Sequence, residues 1–582
     1  MGFKSVKRRG LRWLALALSA AMALMSVSGC APKEADPQAV YKSEVFTERM
    51  SALWSAVSED EELKIPENGT TVFLSLCNRA ERAKVVHASS ASIEEAWKAA
   101  ENIARKAVEK DGLLPMWVRA DILTDSMAHP MSDIEGELGS VGGGSFRYGL
   151  SLDPGIGTAF LEAECNANGI YDYEANTVSA GAIEKYLGKK AEVPDEVTLF
   201  VTQGYFCGTD NLVRKLSGDE TDFGTRRLEM TQDTAKAIVS LGASYLMGQQ
   251  LEDGSFRYGY LAGSGDELAG YNSLRHWGTV WSLVEAYRLS PSEELAATID
   301  AAINYGVTNY VVYRDDNTAF VRESGINTVN IGGGGLAAIA VSSYKEVFDT
   351  DRHDKLLSAL GGGILAMSDP ETGKFWHRWS DTFIPADEFI SIYYEGEAAF
   401  ALCKLYGVDQ KAEYLDMAKR AADRFIEEDY AKYRDHWVAY TMDELTKYAP
   451  EERYYEFALR NIQSNMGEIR SKDASYHTVT ELLMAGYDTY SRIVSTGAQV
   501  KYLEKFDEKA MFDAMDHRLA LGLSAFGMPE TVMYFASPME MYGCFFVRRD
   551  NFRARIDDTQ HFIGGYAQYA KADISANEKT DK

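Results

Sequence analysis

Cysteine is scarce in this chain, with six in 582 residues and no Cys-x-x-Cys pair. Apart from Cys30 there are five, an odd number: Cys77, Cys165, Cys207, Cys403 and Cys544. That sets aside a disulfide framework and a structural zinc site, and the five read as small buried side chains. Positive charge is short too. Against 87 Asp and Glu there are 60 Lys and Arg, a formal charge of −27, which argues against nucleic acid or an anionic membrane surface as a partner. Beyond the first thirty residues no stretch is long and apolar enough to span a bilayer. The GxSxG elbow of serine hydrolases is missing, and the glycine run at 332–335 lacks the Lys-Ser/Thr of a phosphate-binding loop. What is present, 46% apolar and 25% charged residues, describes a globular chain with room for two or more domains.

The N-terminus is the most specific segment. Lys4, Lys7, Arg8, Arg9 and Arg12 precede an uncharged apolar run from Leu14 to Val27, and then comes Val27-Ser28-Gly29-Cys30. This is the layout of a secretory signal peptide, and the run is short for a transmembrane helix. Its end resembles the bacterial lipobox. That resemblance implies cleavage before Cys30, acylation of Cys30 with palmitate-type chains, and an exported protein anchored on the extracytoplasmic side of the cell envelope. Residues 31–44, polar with two prolines, read as a tether.

Two regions follow. In the first, 69–229, Thr71–Leu76, Ala83–Ala88, Trp117–Leu123 and Phe146–Leu152 read as strands, and Ser92–Glu109 and Gly157–Ala167 as helices. Ser140–Ser145 reads as a flexible loop inside this small α/β domain. In the second, 230–572, apolar residues recur at spacings of three and four in twelve segments: 233–248, 272–288, 294–306, 332–346, 354–367, 394–406, 411–428, 435–447, 452–466, 476–490, 506–522 and 560–571. Short and long connections alternate, so the segments pair into six hairpins. The expected architecture is mainly α: an (α/α)6 six-hairpin toroid preceded by a small α/β domain, with 573–582 a polar tail. Inner helices of such a ring all start at one rim.

The pattern resembles the (α/α) toroids, the six-hairpin glycosidases and the terpenoid-cyclase and prenyltransferase group. Gln249–Phe256 (QQLEDGSF) is similar to the QxxDGSF/W element of the cyclase group, with a weaker echo at Asp369–Phe375. In those families the element staples a turn to the next helix, so it implies fold rather than chemistry. The cyclases' DxDD and DDxxD signatures and the prenyltransferase zinc ligands are missing, which disfavours both activities. Phe160–Asn168, Tyr271–His276, Tyr393–Phe400, Asp435–Trp437 and Arg555–His561 together resemble an uncharacterised bacterial family to which no activity attaches.

Polar and aromatic clusters fall at the expected inner-helix starts: Tyr271, Asn272, Arg275 and His276; Asn330 with Gly332–Gly335; Tyr393, Tyr394, Glu395 and Glu397; Asp435, His436 and Trp437; Tyr476, His477 and Glu481; Arg555, Asp557, Asp558 and His561. Converging on one funnel, they suit sugar chemistry. Carboxylates and histidines supply acid and base, giving Glu395, Glu397, Asp435, His436, Asp557 and His561 as catalytic candidates. Tyr394, Trp437 and Tyr476 can stack on sugar rings. Tyr271, Asn272, Arg275, His276, His477, Arg555 and Asp558 can hold hydroxyls or an acidic sugar. Plainer readings stand beside these. The acids can be helix caps, the histidines structural, and the glycines a device for close packing. Asp557, Asp558 and His561 lack a further ligand of clear spacing, so no metal or other cofactor is implied. The resulting expectation is a surface-tethered carbohydrate-active enzyme, a hydrolase, lyase or epimerase, with a glycan or envelope polymer as partner. A non-catalytic envelope lipoprotein that binds a glycan, peptide or polymer is the alternative.

Overall fold

The structure is a computed structural model that describes residues 37–134, 146–172, 175–218, 223–323, 325–386, 389–471, 477–548 and 550–572. Cys30, the Ser140–Ser145 loop, Tyr476 and the tail 573–582 lie outside the described residues. Among those described, no helix is long and apolar enough to cross a membrane.

The N-terminal region is built on one antiparallel sheet. Its strands are β1 (Thr70–Cys77), β2 (Lys84–Ser90), β3 (Trp117–Pro130), β4 (Gly149–Ser151), β5 (Ala159–Phe160), β6 (Glu196–Cys207) and β7 (Val213–Lys215). The order is β2-β1-β3-β6-β4-β5, with β7 also on β6. Side chains alternate across a strand. Val72, Leu74 and Leu76 of β1 therefore pack under two helices, α1 (Pro37–Ser58) and α2 (Ile93–Asp111), while Phe73 and Cys77 belong to the core shared with the rest of the chain. Ser92 caps α2 by accepting from the Glu95 amide, and Gly112 closes it in the left-handed region at φ 68°. Two short helices, α3 (Glu162–Ala167) and α4 (Ala180–Leu187), lie near the β4–β5 edge.

Several expectations are corrected. Residues 37–44, read as tether, are the start of α1. The segment 157–167 is strand β5 and then α3, and Phe146–Leu152 is strand only at 149–151. The central strand β6 has no counterpart in the sequence reading, because Val197–Phe200 and Gly204–Cys207 are buried as unbroken runs and leave no sustained polar–apolar alternation.

Twelve long helices make the ring of the second region: α5 (Gln232–Gly248), α6 (Ser273–Leu289), α7 (Glu293–Asn309), α8 (Ile331–Phe348), α9 (Asp354–Ala366), α10 (Tyr394–Asp409), α11 (Ala412–Glu427), α12 (His436–Tyr448), α13 (Glu452–Ser464), α14 (Thr478–Thr496), α15 (Glu508–Leu523) and α16 (Ile556–Lys571). α6 packs on α8, α8 on α10, α10 on α12, α12 on α14, α14 on α16 and α16 on α6, which closes the inner ring. The odd-numbered helices form the outer ring. α11 buries one stripe, whereas Ile331 to Tyr344 of α8 are all buried, the mark of a helix covered on every side. Glycine permits that crowding. A Cβ on Gly335 would lie 2.9 Å from the Glu397 carbonyl oxygen, and one on Gly564 would lie 2.2 Å from Glu481 Oε1.

The QxxDGSF element and its echo are turns that dock on outer helices. Gly254 (φ 92°) sits against the Ala301 carbonyl of α7, and Gly373 (φ 72°) against that of Arg420 in α11. The strand Arg553–Arg555, just before α16, pairs with Gly259–Leu261 between α5 and α6, and so ties the last rim linker to the first.

Candidate active site

At the rim where the inner helices start is a cavity of about 500 Å³. Its walls include Asn272 at the head of α6 and Arg275 of α6, Tyr394 and Glu397 of α10, His436 and Trp437 of α12, His477 at the head of α14, Arg555 at the head of α16, and Asp557, Asp558 and His561 of α16. Eleven of the residues expected from sequence are thus brought together. α8 contributes Leu336 to the wall. Its Gly332 lies against the Glu397 and Tyr394 side chains, where a Cβ would meet Glu397 Oε2 at 2.3 Å.

Four expected residues are not on the cavity. Glu395 faces outward and binds Arg424 of α11, with His377 Nε2 at 3.3 Å from its other oxygen. Asp435 caps α12, accepting from the Trp437 amide at 2.9 Å. Burial pushes its carboxyl well above the usual range, the neighbouring Glu397 and Glu395 adding to the effect. His276 is fully buried, donating from Nε2 to the Ala302 carbonyl at 2.9 Å and accepting at Nδ1 from the Tyr271 hydroxyl at 2.5 Å. Tyr271 also accepts from the Phe256 amide at 3.2 Å. This pair therefore fastens the QxxDGSF turn to α6, and burial lowers His276 to about 4. The structural alternatives describe two of these four, Asp435 as a cap and His276 as a buried histidine, whereas Glu395 is an ion-pair partner and Tyr271 holds the turn.

Two groups on the wall carry buried polar atoms without a hydrogen bond. Glu397 is buried and its Oε2 makes no hydrogen bond. Burial raises its carboxyl to about 8, against the pull of Arg275 and His561, so it holds its proton at neutral pH. His436 is 2% exposed and neither ring nitrogen is hydrogen-bonded. Burial, and the charge of His561 after it, hold it well below the ordinary imidazole range, so it is a neutral ring. His561 stands across from it, ring centres 5.0 Å apart and planes perpendicular. Its Nδ1 is 2.8 Å from Oε2 of Glu481 on α14, and burial is overcome there by that carboxylate, which raises His561 above its usual value. Glu481 also accepts from the Tyr440 hydroxyl at 3.0 Å.

A second set is tied down. Burial favours protonation of Asp558, yet hydrogen bonds from Arg555 (2.7 Å) and His477 (3.2 Å) hold it well below the usual carboxylate range. Asp557 lies 3.7 Å from Arg275 and 3.3 Å from Arg555. Charges on this wall pair off, which suits a neutral hydroxylated ligand.

Ligand atoms of His436, Glu481 and His561 lie within 4.8 Å of one another. Glu481 Oε2 and His561 Nδ1 are hydrogen-bonded to each other, and His436 Nε2 stands 3.6 Å from the same carboxylate oxygen. Sequence reasoning named Glu481 at its helix start but assigned it no role. The signal available was its place one turn after His477, on the same inner helix.

The chain is a closed six-hairpin α/α toroid carrying an antiparallel sheet domain. Its sequence matches no family model and no curated protein. Solved structures are similar in shape. A D-mannose isomerase gives a TM-score of 0.45 at 12% identity, over 59% of this chain and 98% of that one. Cellobiose 2-epimerase from Bacillus thermoamylovorans gives 0.44 at 11%, over 57% and 99%. A family 76 glycoside hydrolase (mannosidase) from Bacteroides thetaiotaomicron gives 0.43 at 13%, over 60% and 100%. Likeness at this level concerns the fold alone.

Proposed function

We propose that the rim cavity is the active site of a carbohydrate-active enzyme that works by acid–base proton transfer. The observation that carries this reading is the pairing of opposites on one wall. A neutral imidazole, His436, and a protonated carboxyl, Glu397, are both buried, with no hydrogen bond to either ring nitrogen of the one or to Oε2 of the other. One is a base and the other an acid in the states needed at neutral pH. His436 takes a proton from the substrate, while Glu397 and the imidazolium of His561, held by Glu481, return one or stabilise developing negative charge. Trp437 and Tyr394 offer faces for a sugar ring, and Arg275, Arg555 and Asp557 offer partners for hydroxyls.

Among hydrolase, lyase and epimerase, this arrangement supports proton abstraction from carbon, the step lyases and epimerases share. A glycosidase needs a free second carboxylate, and here Asp557 lies beside two arginines while Asp558 is bound by Arg555 and His477. The test is a panel of reducing sugars and uronate-containing glycans in D2O, read by NMR. Deuterium entering at a sugar carbon, lost in His436→Asn, supports the reading. New reducing ends without deuterium point to hydrolysis, and saturable binding without turnover points to the receptor alternative.

We also propose that the protein is a lipoprotein anchored through Cys30 on the extracytoplasmic side of the envelope, on the strength of its N-terminal sequence. Helix α1 begins at Pro37, so the tether spans at most roughly 20 Å when fully extended. Cys30→Ala should leave the protein soluble or unprocessed on fractionation. A correctly processed variant that still partitions with membranes would overturn the anchor.

A further inference from the structure

A second cavity, of about 360 Å³, lies between the sheet domain and the toroid. We infer that it is a separate binding site for a small anionic sugar, one that carries a single carboxylate or phosphate group.

The argument starts from charge. Arg119 is locked on Asp121 at 2.7 Å, Arg147 on Glu162 at 2.8 Å, and the buried Glu530 on Arg226 at 2.7 Å. Arg548 is left over. Its Nε and Nη2 donate to the Ser524 carbonyl, at 3.0 and 2.6 Å, and no carboxylate among the described residues pairs with it. Among the described residues one guanidinium charge is therefore in excess in this cavity, inside a chain whose net charge is −27. A half-buried cation without a counter-charge is unfavourable unless something supplies one. Burial lowers Arg548 to about 9, which agrees with that imbalance and leaves it charged at neutral pH.

The surroundings indicate more than a bare ion. Phe223 lies 4.4 Å from the Arg548 guanidinium and 4.8 Å from that of Arg147, so its ring is shared by two cations. Phe552 forms another apolar wall. Gln203 Oε1 and the second oxygen of Glu162 take no hydrogen bond from a described residue and are free to accept from hydroxyls. The volume is at the small-ligand end of the usual range, roughly 300–1,000 Å³. Glu162 belongs to the Phe160–Asn168 motif, which the rim cavity does not use.

The two cavities share a turn. Val547 and Arg553 pair across its neck, the Val547 amide donating to the Arg553 carbonyl at 2.8 Å, and both line the rim cavity. Arg548 and Phe552, one residue inward on each arm, line the other. A ligand on Arg548 therefore bears on the segment that leads into Arg555.

Isothermal titration of the full chain with D-glucuronate, D-glucose 6-phosphate, D-glucose and inorganic phosphate tests the inference. The expected result is saturable one-to-one binding of at least one anionic sugar. Arg548→Gln should weaken it tenfold or more, and Glu397→Gln, in the other cavity, should leave it unchanged. Preference between the two anionic sugars tells carboxylate from phosphate. Arg548→Lys, which keeps the charge but not the fork, should fall between wild type and Arg548→Gln, and thermal melts check that both variants fold. The inference is overturned if neither anionic sugar binds, if binding survives Arg548→Gln, if Glu397→Gln abolishes it, or if inorganic phosphate alone binds as tightly. Loss of binding in Glu397→Gln would place the sugar in the rim cavity instead, and the other outcomes leave the acid–base reading of that cavity untouched.

Discussion

His561 Nδ1 and Glu481 Oε2 are 2.8 Å apart across the α14–α16 contact, and no Lys or Arg among the described residues pairs with this carboxylate. The imidazole therefore depends on Glu481 both for its orientation and for its raised proton affinity.

Glu481→Gln keeps the shape and removes the charge. The His561 titration, followed by NMR of the ring, should move to lower pH. Where turnover requires the imidazolium, activity should fall first at the upper end of the pH range, with kcat affected more than KM. An unchanged His561 titration would sink the assignment of Glu481 as the positioning residue.

Glu397 predicts a pH dependence of stability. Its folded value, about 8, lies above the ordinary 4.5. Between these values the unfolded chain has released a proton that the folded chain keeps. Wild-type stability should therefore decline as pH rises from about 4.5 to 8, by a few kcal/mol at most. Glu397→Gln should be flatter across that window and at least as stable at pH 8, with activity reduced about a hundredfold or more. Parallel Tm–pH curves for the two proteins would contradict the raised value.

Glu395 should behave in the opposite way. Removing it leaves Arg424 buried beside Phe425 and Tyr430 without its carboxylate. Glu395→Ala should cost about 3–5 kcal/mol in stability, and replacing Arg424 as well by Met should restore much of it. Denaturant unfolding measures both. A Glu395→Ala protein of normal stability but no activity would return this residue to the catalytic list.

What the sequence made legible, and what it hid, follows from the kind of signal each feature leaves. Three- and four-residue spacing placed all twelve ring helices, because each has to bury a face. α16 was placed a full turn late, at 560 rather than 556, since Asp557 and Asp558 look like loop residues until Arg555 and His477 neutralise their burial. Helix starts identified the rim, but not which way each side chain turns. Glu395 and Glu397 are two residues apart, so on a helix of 3.6 residues per turn they face different neighbours, Arg424 outside and the cavity inside. The spacing alone carries no record of where the axis of the ring lies. His276 and His436 both fall in the first turns of inner helices, and only their hydrogen bonds, to a carbonyl and a tyrosine for one and none for the other, separate a structural ring from a reactive one.

The glycine run opening α8 yields the sharpest contrast. A methyl group on Gly332 would sit 2.3 Å from Glu397 Oε2 and 2.5 Å from the Tyr394 ring, whereas one on Gly334 meets nothing within 4 Å. Both positions are helical, so both substitutions gain the intrinsic preference of alanine over glycine, about 1 kcal/mol. For Gly334→Ala that gain stands alone, and the protein should be stabilised by up to about 1 kcal/mol with activity unchanged. For Gly332→Ala the clash falls on the α8–α10 seam, where overpacking costs typically 1–3 kcal/mol, so the balance turns negative. Displacement of Glu397 should also reduce turnover more than the lost stability accounts for. Matched measurements of Tm and activity on the two variants read this directly. If both behave alike, then Gly332 is not what allows α10 to bring Glu397 to the cavity wall, and the glycines serve only general helix packing.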